Sequence, residues 1–481
     1  MKKFIIFTLS SIISFSSFTQ NTTKLDQTVR EALRSPALNH ASLSVCAYNI
    51  TRNTNIYSYE AQKALIPAST AKILTTAIGF DKLGSNFRFK TTLKYTGKID
   101  NNGTLHGDII IVGGGDPILG SYRYKQTTPD TLFATWTNAI KKQGIKSING
   151  RICYDASIFD DKAINDSWQW GDIGNYYGCG VSGLNFHENM FFAYFNAGSK
   201  LGQPATLDHT SPEGVKIHSL NNVSTGAPNS GDNVIIYGDP SSSIRVCEGT
   251  VPLGKRNFSV RGSMPSPQSN CALLFLYYLK SHGVNVSGAV AENLRHSSGK
   301  DIIDYYSNTY HVIAQYTNLT SNNLYAESIF KYLGFKLYGI GTYDNGAKSI
   351  YSYCTDNAIN TDGINIVDGS GLSRLNRVSC DFFCRFLKHI AKQPIYNDFS
   401  KSLAKVGESG TAKNMLPKLP ANIAIKLKSG TMDGVKSYAG YITNAKGELI
   451  CFSIIANNYT CPSYQVQQQF EKILMQIATM Q

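Results

Sequence analysis

The chain has 481 residues, of which 42% are hydrophobic and 16% are charged. This length is enough for two to four ordinary domains, and the composition excludes a disordered, collagen-like or coiled-coil protein. Lysine and arginine outnumber aspartate and glutamate by 46 to 33, which gives a net charge of +13 and suits an anionic partner. Because no basic run or nucleic-acid motif accompanies this charge, we do not expect nucleic acid to be that partner.

Residues 1–20 are predicted to be a cleaved export signal. Lys2 and Lys3 precede an apolar stretch from Phe4 to Phe18, which is too short to span a bilayer but has the length of a signal-peptide core. A buried N-terminal helix is the alternative. No cysteine lies near the end of the stretch, so a lipid anchor is not expected there.

The first 85 residues show clear helix and strand patterns. Apolar spacing predicts a helix over Leu25–Leu33 and then a hairpin of two strands, Ala41–Asn49 and Ile56–Tyr59. The next helix begins at Ser69 and ends before Gly84. Beyond it, residues 86–289 consist of short strand patterns separated by turn residues, which is typical of mainly β insertions.

Long helical patterns return near Asn318. Strands are predicted over Ile423–Leu427, Ser437–Thr443 and Leu449–Ala456, and a final helix follows with an apolar stripe on one face. That helix is too polar outside its stripe to serve as a membrane anchor.

Neither the cysteines nor the histidines form a recognisable site pattern. Ten cysteines are scattered without a stapled-domain spacing, and Cys380 and Cys384 are expected to be buried apolar residues of a helix. His187-Glu188 begins like the zinc motif HExxH, but Phe191 stands where the second histidine is required. The sequence therefore predicts no metal site.

Ser69-Thr70-Ala71-Lys72 places a serine and a lysine on one face of the first helical turn. A nucleophilic serine needs a nearby base and hydrogen-bond donors for the oxyanion, and a lysine amine and the N–H groups of a helix start can supply both. The same spacing occurs elsewhere in the chain, and an N-cap serine beside a solvated lysine is the structural alternative.

Two later segments carry further polar groups. Ser321-Asn322-Asn323 offers a hydroxyl and an amide at the start of a predicted helix, with simple capping as the alternative. Lys428-Ser429-Gly430-Thr431 ends a strand whose alternation separates the apolar residues Ile425 and Leu427 from Lys428. Gly430 would let a ligand backbone lie against the strand while Lys428 presents a positive charge. An edge strand guarded by an exposed lysine is the alternative.

In this order the three segments resemble the SxxK, SxN and K-S/T-G elements of the penicillin-recognising serine acyl-transferases. Ser69 and Ser321 are 252 positions apart (321 − 69), too many for a compact class A β-lactamase. Over essentially the whole mature chain, the sequence resembles the low-molecular-mass class C penicillin-binding proteins, the D-Ala-D-Ala carboxypeptidase/endopeptidase family. Asn322 and Ser429 stand where Asp and Thr are common, which leaves the catalytic atoms available. Supporting segments are Pro67–Lys72, Val112–Pro117, Asp368–Arg374, Lys428–Thr431, Gly434–Val435 and Ala439–Tyr441.

The resemblance implies a transpeptidase-like α/β domain built on a five-stranded antiparallel sheet with helices on both sides. Residues 21–85 and 290–481 would form this domain, and residues 86–289 would form two inserted, mainly β domains, one nested within the other. It also implies an exported, periplasmic bacterial protein without a stable membrane anchor.

The implied reaction is attack by Ser69 on the carbonyl of the penultimate D-Ala of a peptidoglycan stem peptide, followed by hydrolysis of the acyl-enzyme. β-Lactam antibiotics would acylate the same serine, and no metal or organic cofactor is needed. The roles implied are Lys72 as base, Ser321 as proton relay, Asn323 as donor to the substrate amide, Lys428 with Thr431 as carboxylate site along the Ser429–Gly430 strand, and the N–H groups of Ser69 and Thr431 as oxyanion hole.

Asp172 is a further candidate for substrate binding. It follows Trp168 and Trp170 and precedes Tyr176-Tyr177, and in the family that the chain resembles the comparable stretch contacts the stem peptide. A carboxylate there could pair with the free amine of a diamino-acid stem residue. The aromatic residues could equally be the core of an inserted domain.

Three other functions are considered. A β-lactamase-like hydrolase would need an efficient deacylating base, and no ExxLN-like element can be placed. A catalytically inactive cell-wall-binding scaffold would have lost acylation, yet the three segments are intact. A histidine-dependent serine hydrolase is disfavoured because the chain has no G-x-S-x-G turn.

Overall fold

The computed structural model describes residues 23–293 and 298–480, so the predicted export signal at 1–20 lies outside the described residues. Within them the chain divides into two compact units. The first unit contains residues 23–85, 311–322 and 347–480. The second contains residues 86–310 and 323–346.

The first unit is built on one antiparallel sheet of six strands. In spatial order the strands are Thr54–Tyr59, Ser42–Asn49, Leu449–Asn457, Val435–Thr443, Ala424–Met432 and Ala404–Lys405. Five of them match the predicted sheet, and the sixth is a two-residue edge strand that the sequence does not signal. A separate two-stranded pair joins Ile364–Asn365 to Arg377–Val378.

Helices cover both faces of this sheet. The helix at 23–34 and the final helix pack Val29 and Phe470 into one core with the strand residues Val45 and Ile425. On the opposite face, the hydroxyl of Tyr441 donates to the carbonyl of Leu387 at 2.9 Å. The helices that lie wholly or partly in this unit are 23–34, Lys72–Leu83, Tyr310–Thr320, Tyr343–Asp356, Cys380–Ile390, Tyr396–Ser402 and Ser463–Thr479, with 3-10 turns at Ala68–Ala71 and Gly410–Ala412.

The second unit consists largely of short strands in four sheets. Its largest sheet has five strands, in the order Val290–Asn293, Ile152–Asp155, Ile109–Val112, Lys90–Tyr95 and Lys300–Tyr306. The other strands are Lys98–Ile99, Thr104–His106, Ser147–Asn149, Met190–Asn196, Thr206–Ser211, His218–Gly226, Asn233–Tyr237, Ile244–Pro252, Phe258–Ser263 and Asn285–Val286. The helices are Pro129–Lys142, Trp170–Ile173, Pro267–Ser281 and Asn323–Tyr338, with 3-10 turns at Lys125–Thr127, Tyr176–Gly178 and His187–Asn189.

Two hydrophobic cores of the second unit follow a nested order in the sequence. One core draws on residues between Leu93 and Phe186 and again between Val215 and Val286. The other draws on residues between Phe191 and Val260. This order accords with two nested insertions, which stay a prediction.

The chain re-enters the first unit later than the boundary at residue 290 that the sequence analysis predicted. Lys300–Tyr306 pairs with Lys90–Tyr95, and the first unit resumes at residue 311. The helix Asn323–Tyr338 also belongs to the second unit. The sequence did not predict this boundary, because the residues of a single strand do not indicate which sheet the strand joins.

All ten cysteines lie in the described part of the chain, and each is a free thiol. Cys380 and Cys384 are buried, as predicted, and donate to the carbonyls of Ser44 and Cys46 at 3.4 and 3.5 Å. Burial raises the pKa of Cys384 well above its ordinary value, so this thiol stays protonated and unreactive. None of the helices in the two described ranges is both long and apolar enough to cross a bilayer.

Asp116 is a buried carboxyl in the second unit and makes its stability depend on pH. One oxygen accepts the N–H of Ile118 at 2.9 Å, and the other has no hydrogen-bond partner among the described residues. Burial raises the pKa of Asp116 to about 7, against the opposing effect of the Ile118 bond. The folded state therefore holds a proton that the unfolded chain, with its lower pKa, releases.

We predict that Asp116→Asn removes a pH dependence of thermal unfolding. In the wild type the contribution of Asp116 is most favourable below the unfolded pKa and is lost as pH rises through about 7, by up to about 4 kcal/mol. Asparagine cannot ionise, so the variant should unfold at a midpoint that changes less between acidic and mildly alkaline buffers. Calorimetry at a series of pH values measures this, and equal slopes for both proteins would contradict the assignment.

Candidate active site

Ser69 lies on a tight turn at the start of a helix. Residues Ala68–Ala71 form a 3-10 turn that continues directly into the helix Lys72–Leu83. The hydroxyl of Thr70 donates to the carbonyl of Pro67 at 2.6 Å and fixes the turn. Ser69 itself is half-buried, so its hydroxyl is both held and accessible.

Lys72 is fully buried beside this serine. Its Nζ lies 2.9 Å from Ser69 Oγ and donates to the carbonyl oxygen of Ser370 at 2.6 Å. The predicted serine–lysine pair is therefore formed, and the alternative of a solvated lysine is excluded. A buried lysine amine at hydrogen-bond distance from a hydroxyl can act as its general base.

The segment Asp368–Ser373 packs against the turn that carries Ser69 and against the helix that follows it. The carboxylate of Asp368 accepts the N–H groups of Gly371 and Ser373 at 2.8 and 2.6 Å, and the carbonyl of Gly369 accepts the hydroxyl of Thr75 at 2.8 Å. Gly371 has φ +81°, and a Cβ there would lie 1.9 Å from the carbonyl oxygen of Ala68. The contact with Lys72 could not be predicted from the sequence, because Ser370 makes it through its backbone carbonyl.

Ser321 and Lys428 form a second serine–lysine pair. Ser321 has φ +60° between the helices Tyr310–Thr320 and Asn323–Tyr338. Lys428 Nζ donates to Ser321 Oγ at 3.0 Å and to the carbonyl of Ser429 at 2.7 Å. The hydroxyl and the ammonium predicted from separate segments are thus in direct contact.

Asn318 anchors the helix that precedes Ser321. Its Nδ2 donates to Thr76 Oγ1 at 3.1 Å and to Ser402 Oγ at 2.9 Å. Because Thr76 lies on the helix that follows Ser69, this amide connects the Ser321 and Ser69 segments. The sequence signal was a polar residue in an otherwise apolar helix, which is too common to single out.

The strand Ala424–Met432 presents the K-S-G segment as the alternation predicts. Ile425 and Leu427 are buried in the sheet core, whereas Lys428 reaches Ser321. Lys428 is 0% exposed, which excludes the alternative of an exposed guard lysine. The short edge strand pairs only with Lys426 and Leu427 of this strand, so the pairing on that side ends where the K-S-G segment begins.

Gly430 sets the distance between this strand and the serine turn. A Cβ at position 430 would lie 2.9 Å from the backbone nitrogen of Ser69 and 2.7 Å from the carbonyl oxygen of Pro67. Only glycine fits at this separation.

The residues on either side of Gly430 differ in exposure. Ser429 is half-buried and its hydroxyl donates to Thr411 Oγ1 at 2.7 Å, while the side chain of Thr431 is exposed.

Burial weakens the positive charge that the sequence predicts at Lys428. Desolvation, and after it the positive charge of Lys72, lowers the pKa of Lys428 well below its ordinary value. Burial thus disfavours the charged form of Lys428 in the free protein, and a bound anion would favour it. The pair of lysines can accept a proton at one position and stabilise an anion at the other.

Asn323 and Asp172 belong to the second unit, where Tyr177 connects them. Asn323 Nδ2 donates to the carbonyl of Tyr177 at 2.7 Å. Burial, and then the charge and hydrogen bond of Asp172, raises the pKa of Tyr177 to about 12. The two tryptophans before Asp172 differ in exposure. Trp168 is 7% exposed, in agreement with the interpretation that the aromatic residues form a core, whereas Trp170 is 57% exposed.

Within residues 23–293 and 298–480, no group of three or more His, Cys, Asp or Glu side chains is arranged to hold a metal ion. Five of the predicted site residues therefore lie close together in the first unit: Ser69, Lys72, Ser321, Lys428 and Gly430. In the second unit, Asn323 and Asp172 both contact Tyr177.

Comparison with known proteins identifies the family. The chain is 28% identical over 454 residues to a D-alanyl-D-alanine carboxypeptidase from Actinomadura sp., with 92% of this chain and 82% of the relative covered. The crystal structure of penicillin binding protein 4 (dacB) from Haemophilus influenzae superposes with a TM-score of 0.80 at 25% identity, covering 94% of this chain and 98% of the other. A structure of that protein complexed with a β-lactam has a TM-score of 0.77 at 23% identity, covering 95% and 99%.

These matches confirm the predicted fold class, a transpeptidase-like domain with additional β-rich regions. The sequence profile of the D-Ala-D-Ala carboxypeptidase 3 (S13) family matches residues 25–480. Because that match spans nearly all of the described chain, this protein belongs to the D-Ala-D-Ala carboxypeptidase 3 (S13) family of serine peptidases.

Proposed function

We propose that this protein is a serine D-Ala-D-Ala carboxypeptidase and endopeptidase that cleaves peptidoglycan stem peptides through an acyl-enzyme on Ser69. The observation that carries the proposal is the buried Lys72 amine 2.9 Å from Ser69 Oγ. A nucleophile and its base at hydrogen-bond distance are the minimum machinery of acyl transfer. The two relatives support it, since one is named a D-alanyl-D-alanine carboxypeptidase and the other is a penicillin-binding protein with a β-lactam complex.

Acylation begins when Ser69 Oγ attacks the carbonyl carbon of the penultimate D-Ala and Lys72 takes the hydroxyl proton. The carbonyl oxygen becomes an oxyanion, which the backbone N–H groups of Ser69 and Thr431 stabilise. The close approach at Gly430 supports this assignment, because it places the strand segment before Thr431 against the nitrogen of Ser69.

Collapse of the tetrahedral intermediate breaks the peptide bond. Ser321 relays a proton to the leaving amine, and Lys428, in contact with Ser321 Oγ at 3.0 Å, supports the relay. Lys428 with Thr431 holds the terminal carboxylate of the substrate, and Asn323 donates to the amide of the preceding residue. Water then hydrolyses the acyl-enzyme.

The cellular setting is also part of the proposal. We place the protein in the bacterial periplasm after removal of residues 1–20, because the apolar stretch and its two leading lysines have the features of an export signal. The net charge of +13 favours association with an anionic cell-wall polymer. Of the other functions, an inactive scaffold is disfavoured by the assembled Ser69–Lys72 and Ser321–Lys428 contacts.

We predict that labelled benzylpenicillin forms a stable adduct on Ser69. A β-lactam carbonyl placed against this serine is opened by the same attack, and slow deacylation leaves the adduct intact. Ser69→Ala should lose the adduct and reduce peptidase activity on the order of a million-fold. Peptide mass spectrometry locates the label. An adduct on another serine would contradict the assignment, and rapid release of penicilloate would favour a β-lactamase.

Arginine at the two lysine positions should have different effects. Lys72→Arg should abolish acylation, because a guanidinium keeps its proton and cannot serve as a base. Lys428→Arg should retain part of the activity, since it still offers a cation to the substrate carboxylate. Because the pKa of Lys428 is lowered and that of arginine is high, acylation by Lys428→Arg should persist to higher pH than in the wild type. Stopped-flow acylation rates over a pH series test this, and equal activity of the two variants is the contrary result.

Replacement of Asp172 should alter substrate preference. Asp172→Asn should slow cleavage of stem peptides that carry a free diamino-acid amine by roughly 5- to 100-fold, while penicillin acylation stays nearly intact. Tyr177→Phe is the matched control, since it removes the hydroxyl that Asp172 contacts and leaves the carboxylate in place. If both activities fall together in Asp172→Asn, or if Tyr177→Phe has the same effect, Asp172 acts structurally.

A further inference from the structure

Glu188 is a buried carboxylate in the second unit that none of the proposed steps uses. It is 1% exposed and accepts Arg123 Nε at 2.7 and 2.9 Å, Ser121 Oγ at 2.6 Å and the hydroxyl of Tyr325 at 2.8 Å. This is the glutamate of the His187-Glu188 pair that resembled half of a zinc motif. Its surroundings are hydrogen-bond donors and not metal ligands.

The backbone that carries Glu188 is unusual. His187, Glu188 and Asn189 have φ values of 54°, 56° and 50°, although none of them is glycine. Three successive residues in the left-handed region are strained, and such strain persists only where surrounding contacts impose it. Asn189 supplies two of these contacts, since its Oδ1 accepts the N–H of Phe186 at 2.9 Å and its Nδ2 donates to Gly180 at 2.7 Å. The result is a carboxylate turned into the protein interior.

Tyr325 connects Glu188 to the helix that begins with the proposed substrate-binding amide. Tyr325 is fully buried on the helix Asn323–Tyr338, two residues after Asn323. Within the same unit, Asn323 donates to Tyr177, and Asn185 Nδ2 donates to Ser328 Oγ at 3.3 Å. The first two turns of the helix are therefore held by polar contacts at 323, 325 and 328.

We infer that Glu188 and Tyr325 are positioning residues that set the location of the Asn323 amide in the reaction proposed above. The carboxylate is itself fixed by Arg123 and Ser121, so it offers the Tyr325 hydroxyl an acceptor at a fixed position. An amide that donates to a substrate must be placed within a fraction of an ångström of its productive geometry. The inference rests on the proposed function, in particular on the contact between Asn323 and the substrate amide.

A purely structural role would also make Tyr325 sensitive to substitution, so the test needs a readout that stability does not change. Benzylpenicillin carries a side-chain amide, whereas 6-aminopenicillanic acid has the same reactive ring without it. If Tyr325 acts through Asn323, its loss should slow acylation by the first compound more than by the second. The ratio of the two rate constants cancels any general loss of folded or active protein.

The experiment compares Tyr325→Phe with Asn323→Ala and with a matched control. Tyr343→Phe is that control, because it removes another buried hydroxyl of the second unit, which donates to the carbonyl of Ala163 at 3.1 Å. Tyr325→Phe should lower the ratio about tenfold, the effect of losing about one hydrogen bond, and Tyr343→Phe should leave it unchanged. In the Asn323→Ala background, Tyr325→Phe should lower the ratio no further. Glu188→Gln, which keeps an acceptor for Tyr325, should retain more of the ratio than Tyr325→Phe.

The contrary outcomes are distinct. An unchanged ratio in Tyr325→Phe, together with a lowered ratio in Asn323→Ala, overturns the positioning role and leaves the proposed function in place. An unchanged ratio in Asn323→Ala overturns the role of that amide and the inference with it. Absence of acylation of the wild type by both compounds overturns the proposed function itself.

Discussion

The proposed active site depends on keeping two lysine side chains, Lys72 and Lys428, fully buried and close enough for their charges to interact. Removing an ammonium group from water is unfavourable, and two of them close together repel each other. Each is therefore given neutral oxygen acceptors: a serine hydroxyl and a backbone carbonyl, at 2.6 to 3.0 Å. Desolvation and, after it, the positive charge of Lys72 lower the pKa of Lys428. Two charged side chains this close repel each other, so the state in which both are charged is disfavoured.

The sheet and its helices satisfy this requirement by bringing distant segments to fixed positions. The final strands fill one core with Ile425 and Leu427, which forces Lys428 to the opposite face. Gly430 then allows the strand to reach the serine turn, and the Asp368 segment supplies the carbonyl that Lys72 needs. The second unit holds the helix that starts at Asn323.

The sequence predicted the contact between Ser69 and Lys72 and the separation of Lys428 from the apolar face of its strand. The spacing of Ser69 and Lys72 and the alternation before Lys428 placed the principal groups correctly, because helix and strand periods fix which face each residue occupies. The contribution of Ser370 was missed, since a backbone carbonyl leaves no mark in the sequence. The strand Lys300–Tyr306 was assigned to the wrong region, because strand pairing is a long-range property. Glu188 was considered only as part of an incomplete zinc motif, and its contact with Tyr325 joins residues 137 positions apart.

Titration of the lysine side chains measures whether burial and the charge of Lys72 lower the pKa of Lys428. Lysine labelled with ¹⁵N at Nζ can be followed by NMR over a pH series, with the Lys428→Arg and Lys72→Ala variants used to assign and perturb the signals. We expect Lys428 to titrate well below the surface lysines and its pKa to rise when Lys72 is replaced by alanine. Titration of Lys428 together with the surface lysines, with no response to the loss of Lys72, would show that neither burial nor the neighbouring charge sets the pKa of Lys428.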